Sequence, residues 1–279
     1  MDHAAIALYL DLLKGCLSRA LFFDEEVWPI LGRRHFAARL FGGPLVLDVL
    51  RHSGVELVRR APSVTTPAIR AEGKDRPPHA ETMIGMKRLD NLQSCLSDVL
   101  KQGVRGDLIE TGVWRGGAAI FMRAVLKAHG VTDRIVWACD SFEGLPKPDG
   151  TTYPADRGDI LWTETEFAVS LEQVQRNFAR YGLLDNQVRF VKGWFSDTLN
   201  TIDAERFAVI RLDGDMYSST TQSLMALYPK LSVGGYCIVD DYNNIAACRQ
   251  AVTDYRATHG IDEKIESIDW GGVYWQRLR

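Results

Sequence analysis

From Asp107 onward the chain alternates short apolar runs with helical stripes, and most of the runs stop at an acid. Asp107-Leu108-Ile109-Glu110-Thr111, Ile135-Val136-Trp137-Ala138-Cys139, Val188-Arg189-Phe190-Val191, Phe207-Ala208-Val209-Ile210-Arg211-Leu212 and Tyr236-Cys237-Ile238-Val239 read as buried strands. Helical patterns separate them: Ala118 to His129; Phe167, Leu171, Val174, Phe178 and Tyr181; a segment from Ser218 or Ser219 to Tyr228; and one running to about His259. Leu89, Leu92, Leu96 and Leu100 add a helix before Gly103. Strands alternating with helices call for a mainly parallel sheet covered on both faces. The last two runs, Lys264 to Ile268 and Val273 to Leu278, are joined around Asp269-Trp270-Gly271-Gly272 without room for a crossover helix. They must pair antiparallel. The predicted fold is α/β, a doubly wound sheet with a reversed terminal strand.

At 279 residues, 46% hydrophobic and 25% charged, the chain can form one large α/β domain and is not disordered. A formal net charge of −3 gives no reason to expect a nucleic-acid partner. Cys16, Cys95, Cys139, Cys237 and Cys248 are widely separated and form no Cys-x-x-Cys, which argues against a disulfide framework or a structural zinc site. No stretch is long and apolar enough for a bilayer, and the N-terminus lacks the pattern of a signal peptide, so a soluble cytoplasmic protein is expected. Ile6, Leu8, Leu12, Leu13, Cys16 and Leu17 suggest a short amphipathic helix whose stripe is core or subunit contact. Between Phe22 and Pro78 the pattern weakens. Arg59-Arg60-Ala61-Pro62, Thr66-Pro67 and Asp75-Arg76-Pro77-Pro78 predict irregular chain, either a flexible connection or an active-site cover.

Glu110, Asp140, Asp213, Asp215, Asp240 and Asp241 all fall where predicted strands stop. In an open α/β sheet the carboxyl ends of strands form the ligand-binding edge, so these acids should emerge there together. Any single one can instead cap a helix or a turn; the convergence of the whole set favours a site. Asp213, Asp240 and Asp241 can give one divalent cation hard oxygen ligands. With no His or Cys set beside them, magnesium fits better than zinc, while calcium and manganese stay open. A bound cation would offset the repulsion between like charges held close.

Glu110-Thr111-Gly112-Val113-Trp114-Arg115-Gly116-Gly117 is neither a Gly-x-Gly-x-x-Gly fingerprint nor a nucleotide-triphosphate loop. Its glycines still permit positive φ or a close backbone approach, and amides at the helix start can hold a cofactor's carboxylate. Asp140 is placed to accept from ribose hydroxyls, or else to cap a turn with Ser141. Trp194, Phe195, Ser196 and Asp197 follow the third strand and either flank an adenine ring or pack on the domain. Tyr217, Tyr242 and Trp270 either line an acceptor pocket or pack; Arg115 either approaches the cofactor or caps the sheet edge.

Taken together, these blocks resemble the macrocin O-methyltransferases, metal-dependent sugar O-methyltransferases that decorate macrolide, aminocoumarin and enediyne natural products. The resemblance runs from Thr82-Met83-Ile84-Gly85-Met86-Lys87-Arg88-Leu89-Asp90-Asn91-Leu92 to Val273-Tyr274-Trp275. It includes the glycine turn, Asp140-Ser141-Phe142-Glu143-Gly144-Leu145-Pro146, Arg211-Leu212-Asp213-Gly214-Asp215-Met216-Tyr217 and Gly234-Gly235-Tyr236-Cys237-Ile238-Val239-Asp240-Asp241-Tyr242. It touches Leu8-Tyr9-Leu10-Asp11-Leu12-Leu13-Lys14 and is poor between Phe22 and about Pro78.

The resemblance implies a Rossmann-like class I methyltransferase domain over residues 86–279, preceded by an N-terminal helical segment and active-site lid over residues 1–85. It implies that Glu110, Gly112 and Asp140 hold S-adenosylmethionine, with Thr82, Met83 and Ser141 nearby and Asp197 toward the adenine. It assigns Mg2+ to Asp213, Asp240 and Asp241 and the role of general base to Asp215. The expected partner is a glycosylated small-molecule substrate, with no nucleic acid and no membrane, and the family habit points to a homo-oligomer, dimer or tetramer.

A sugar hydroxyl resists deprotonation near neutral pH. A divalent cation lowers its proton affinity, and Asp215, two residues beyond Asp213, is then the expected proton acceptor. The competing role for Asp215 is that of a turn acid. His35, His79 and His259 are alternative acceptors outside the cluster. The competing activity is a catechol-type small-molecule O-methyltransferase. A NAD-dependent oxidoreductase is disfavoured by the glycine spacing, and a noncatalytic adenosyl-binding protein by the paired acids at both strand ends.

Overall fold

The computed structural model describes residues 3–29, 49, 52–55, 58–60 and 66–279. Helix α1 (His3–Leu17) buries Ile6, Leu10, Leu13 and Leu17, which recur at three- and four-residue intervals. The expected stripe is thereby turned: Leu8 and Leu12 are 73% and 55% exposed, because Leu10 is the residue in helical register with Ile6 and Leu13. Strands β1 (Val27–Pro29) and β2 (Val58–Arg60) pair antiparallel. Much of the stretch expected to be irregular, with Ala61, Pro62 and His35, lies outside the described residues. Thr66-Pro67 corrects that expectation, since it opens helix α2 (Pro67–Ala71). Thr66 is the cap, its hydroxyl accepting the Ile69 N–H at 3.2 Å. Pro67 takes the first helical position, where a missing N–H breaks no helical bond.

Next come α3 (Met86–Lys101), β3 (Asp107–Thr111), α4 (Gly117–Ala128) and β4 (Val136–Asp140). Residues 141–170 hold only short 3-10 turns. Helix α5 (Leu171–Arg180) starts later than the stripe suggested. The Ser170 hydroxyl caps it by accepting the Gln173 N–H at 3.3 Å, leaving Phe167 in the preceding turn. Then follow β5 (Val188–Lys192), α6 (Phe195–Thr198), β6 (Phe207–Leu212), α7 (Tyr217–Leu227), β7 (Leu231–Val239), α8 (Ala246–Thr258), β8 (Glu266–Ser267) and β9 (Val273–Gln276). β7 begins at Leu231 rather than Tyr236, and its pairing with β6 carries a register shift.

The main sheet has the order β5-β4-β3-β6-β7-β9-β8. The first five are parallel, and β9 runs antiparallel to both its neighbours. The doubly wound arrangement with a reversed terminal strand is therefore the observed one. Alternate residues feed two cores. Leu108, Val209 and Ile238 pack with Leu92 of α3, Phe121 of α4 and Phe178 of α5. Ile109, Ile210 and Cys237 pack with Leu224 of α7 and Val252 of α8. The winding direction reverses between β3 and β6, and such a reversal opens a crevice at the carboxyl edge. No helix among the described residues is long and apolar enough to cross a membrane.

Candidate active site

Hydrogen bonds carry the sheet past the last regular residues of its central strands. The Asp213 N–H donates to the Thr111 carbonyl at 2.8 Å, and the Asp240 N–H to that of Leu212 at 2.9 Å. Gly112 turns away at φ +86°, so close to Asp213 that a Cβ would stand 1.7 Å from the Asp213 carbonyl oxygen. Only glycine fits. Above these ends opens a cavity of about 700 Å³, and Glu110, Asp140, Asp213, Asp215, Asp240 and Asp241 all line it.

Asp213, Asp240 and Asp241 each offer a carboxylate oxygen, and the three lie within 4.8 Å of one another. Two buried arginines brace them. Arg211 is the register partner of Glu110 across β3 and β6. Its Nη1 donates to Glu110 Oε1 at 2.6 Å and to Asp213 Oδ2 at 2.9 Å, and its Nη2 donates to Asp240 Oδ1. Arg88, from α3, donates Nη1 to Asp240 Oδ2 and Nε to Asp269 Oδ2, the latter at 2.8 Å. Both oxygens of Asp240 are thus fixed. Asp241 Oδ1 accepts from the Asn244 amide at 3.0 Å, whereas Asp241 Oδ2 is buried without a partner.

Two guanidiniums do not neutralise these acids. Burial and then the neighbouring Asp240 raise the Asp213 carboxyl; burial, Asp215 and Asp213 raise that of Asp241 well above its ordinary value. Burial pushes Glu110 up to about 8 despite the pull of Arg211. Burial and the charges of Asp213 and Asp240 push Asp215 up to about 8. Burial also works against the Arg211 charge, but Asp240, Asp213 and Glu110 outweigh it. Such a cluster carries a surplus of negative charge that a cation would relieve.

Asp215 has φ +59°, and the Met216 N–H reaches back to the Gly214 carbonyl at 2.6 Å, closing a three-residue turn about it. A side chain other than glycine in that conformation is strained, and strain of this kind persists only where the surroundings hold it.

On the opposite side, Asp140 clamps the glycine turn. Its Oδ2 accepts the Val113 and Trp114 N–H groups at 2.6 and 3.3 Å, and its Oδ1 accepts the Phe142 N–H at 2.7 Å. Ser141 donates to the Gly144 carbonyl at 2.7 Å. Thr82 and Met83 line the cavity, and a Cβ on Gly117 would meet Thr82 Cβ at 2.5 Å, so that strand-to-helix turn packs directly on them. Trp194 and Phe195 also line it. Asp197 does not. It stands exposed, 2.8 Å from the Ser196 hydroxyl.

Trp270 borders the cavity and donates its indole N–H to the Glu72 carbonyl at 2.7 Å, but Tyr217 and Tyr242 lie off it. Arg115 ties the glycine turn to the Pro78 and Ala80 carbonyls and lies 4.2 Å over the Trp114 ring. His79 lies outside the cavity, and His259 stacks on Tyr255 at 4.1 Å, also away from it. Sequence reading passed over Arg88, Asp269 and the cover from the segment after β4, where Leu145, Tyr153, Leu161 and Phe167 line the cavity. It also gave Arg211 no role. One signal was present there: a guanidinium inside an otherwise apolar strand must find buried partners.

The residues present fit both groups the acids suggest. Glu110 Oε2 is buried without a protein partner beside the glycine turn, which suits a donor's ammonium group. The unpartnered Asp241 oxygen beside Asp213 and Asp240 suits a hard divalent cation.

A doubly wound sheet with β9 reversed beside β7 and this crevice at its switch point is the Rossmann-like fold of the class I methyltransferases. The family model "Macrocin-O-methyltransferase (TylF)" matches residues 6–277. The chain is 52% identical over 277 residues to the 8-demethyl-8-(2,3-dimethoxy-alpha-L-rhamnosyl)-tetracenomycin-C 4'-O-methyltransferase of Streptomyces olivaceus, covering 99% of this chain and 95% of that protein. It is 46% identical over 275 residues to the mycinamicin III 3''-O-methyltransferase of Micromonospora griseorubida, covering 98% and 97%. The solved structure of the O-methyltransferase NovP superposes with a TM-score of 0.82 at 44% identity, over 98% of this chain and 100% of that one. The chain belongs to the macrocin O-methyltransferase family and is an S-adenosylmethionine-dependent O-methyltransferase.

Proposed function

We propose that this enzyme methylates a sugar hydroxyl of a glycosylated natural product and does so with Mg2+ held by Asp213, Asp240 and Asp241. The observation that carries the reading is the convergence of those three carboxylates within 4.8 Å, with a buried, unpartnered oxygen on Asp241 and with Asp215 beside them. The relatives above, named for a rhamnosyl tetracenomycin and for mycinamicin III, support a glycosylated acceptor.

When bound, the donor supplies a methyl group on a sulfonium and the cation supplies positive charge that eases loss of a hydroxyl proton. The chain supplies the rest. Glu110, Gly112 and Asp140 hold the donor, with Thr82, Met83 and Ser141 around it and Trp194 and Phe195 toward the adenine end, just before the exposed Asp197. Asp215 accepts the acceptor's proton on its carboxylate, which lines the cavity beside the three acids that would hold the cation. Trp270, Tyr153 and Phe167 border the cavity and exclude water around the acceptor. In this reading residues 86–279 form the methyltransferase domain and residues 1–85 contribute to its cover. The exposed Leu8 and Leu12 of α1 suit a contact between copies in a dimer or tetramer.

The test incubates purified protein with labelled donor and a panel of deoxysugar glycosides and catechols, with Mg2+ and after chelation. Transfer to a glycoside that chelation abolishes is the expected result. Transfer confined to catechols, or untouched by chelation, would overturn it.

A further inference from the structure

Asp156 lies in the covering segment after β4, in the turn Pro154–Asp156, and is 1% exposed. Its two carboxylate oxygens leave that segment altogether. Oδ1 accepts the Tyr217 N–H at 2.7 Å and Oδ2 accepts the Ser218 N–H at 3.0 Å, sixty-one and sixty-two residues away. Those are the first two amides of α7. The residue before them, Met216, provides no side-chain cap. A helix leaves its first amides without partners, and a carboxylate there is favoured by both hydrogen bonding and the helix dipole. A distant acid has therefore taken the place of the local cap.

The loop that enters α7 is the strained turn about Asp215. Gly214 is pressed against the same helix: a Cβ there would stand 2.9 Å from Ser219 Cβ. Met216, on the other side of Asp215, is 1% exposed. The turn is thus held from its own helix and from the core, and Asp156 is the third hold, coming from the segment that covers the cavity. That segment also carries Tyr153, whose ring lies 6.2 Å from that of Tyr217 and whose side chain lines the cavity.

We propose that Asp156 is a positioning residue for Asp215: by capping α7 from the cavity's cover, it keeps the strained Asp215 turn in place and ties that turn to the acceptor-facing wall. The inference rests on the reading of Asp215 as proton acceptor. Misplacing a reacting group by about 1 Å costs on the order of a hundredfold in rate, so a loosened turn should lower kcat far more than it lowers donor affinity.

The experiment compares wild type, Asp156→Asn, Asp156→Ala and Asp215→Asn. Asn keeps one acceptor oxygen, whereas Ala keeps none. Expected are a kcat that falls about tenfold or more in Asp156→Ala and less in Asp156→Asn, with S-adenosylhomocysteine binding held within about twofold. Amide hydrogen exchange at Tyr217 and Ser218 should quicken about tenfold in Asp156→Ala, while the amides of β3 keep their protection. Wild-type kcat in Asp156→Ala, unchanged exchange at Tyr217 and Ser218, or a loss of product binding as large as the loss of kcat overturns the proposal. Full turnover in Asp215→Asn overturns the proton-acceptor reading instead, and the exchange measurement still reports whether Asp156 anchors the helix.

Discussion

Arg88 of α3 and Asp240 at the end of β7, 152 residues apart, are joined by a buried hydrogen-bonded ion pair. The same guanidinium bonds Asp269, whose other oxygen accepts the Gly271 and Gly272 N–H groups at 2.8 Å each. Arg88 thereby orients a proposed metal ligand and fastens the Trp270 turn over it. Groups that orient a ligand typically contribute 10–100-fold to metal affinity. Arg88→Lys, which keeps the charge but loses the forked geometry, should weaken Mg2+ binding by about tenfold and leave S-adenosylhomocysteine binding intact. Titration calorimetry with each ligand separates the two effects. Equal Mg2+ affinity in both proteins would remove Arg88 from the site's architecture.

Asp215 has a second test, independent of its anchoring. Replacement by Asn keeps shape and removes basicity, and general-base catalysis is typically worth 10²–10⁴-fold. Asp215→Asn should therefore lower kcat by about a hundredfold or more with little change in thermal midpoint, because Asn matches the size and shape of the carboxyl it replaces. A kcat within a few-fold of wild type would leave Asp215 as the turn acid of the competing reading.

The parts of this site that were legible from sequence are those set by local rules. Glu110, Asp213 and Asp240 were readable because each ends an apolar run, and a parallel sheet brings such ends to one edge whatever the intervening loops do. Arg88 and Asp269 were not. On a helix stripe, or in a Gly-rich turn, they have the composition of a solvated surface, and only the meeting of α3 with the β8–β9 turn buries them together. Asp156 was hidden for the same reason, its partners being backbone amides of a distant helix. Leu8 and Leu12 fall off the buried face because a 15-residue helix rich in leucine offers two overlapping stripes, and packing within the chain chose the one through Leu10. The helix at Pro67 was missed because Pro and the Thr before it read equally well as a turn or as a helix start.

Gly112 links the two halves of the site. Its φ of +86° and the 1.7 Å separation of a Cβ from the Asp213 carbonyl oxygen forbid any side chain without moving Asp213. Gly112→Ala is expected to destabilise the fold by roughly 2 kcal/mol or more, since the left-handed conformation alone costs about 1–2 kcal/mol in an L-residue. It should also weaken Mg2+ and donor binding together. Loss of donor binding with normal Mg2+ affinity would show that Asp213 is placed without Gly112.

The raised acids also make stability depend on pH in a direction opposite to that of a salt-bridged carboxylate. Glu110 and Asp215 move from ordinary values of 4.5 and 3.8 up to about 8 in the folded chain. Between about pH 4 and pH 8 the folded state therefore binds more protons than the unfolded state. Stability, which rises with pH only where the unfolded state binds more, must fall across that window. The contribution is whole below about pH 4 and lost as pH passes about 8. A divalent cation among ionised carboxylates reverses the loss, because it binds the deprotonated folded site in competition with protons. The chelated protein should thus show a thermal midpoint that declines from about pH 5.5 to about pH 8, and the gain on adding Mg2+ should be larger at the higher pH. Calorimetric scans with and without Mg2+ at both values read the effect directly. An equal gain at each pH would mean that the cation binds elsewhere than among these acids.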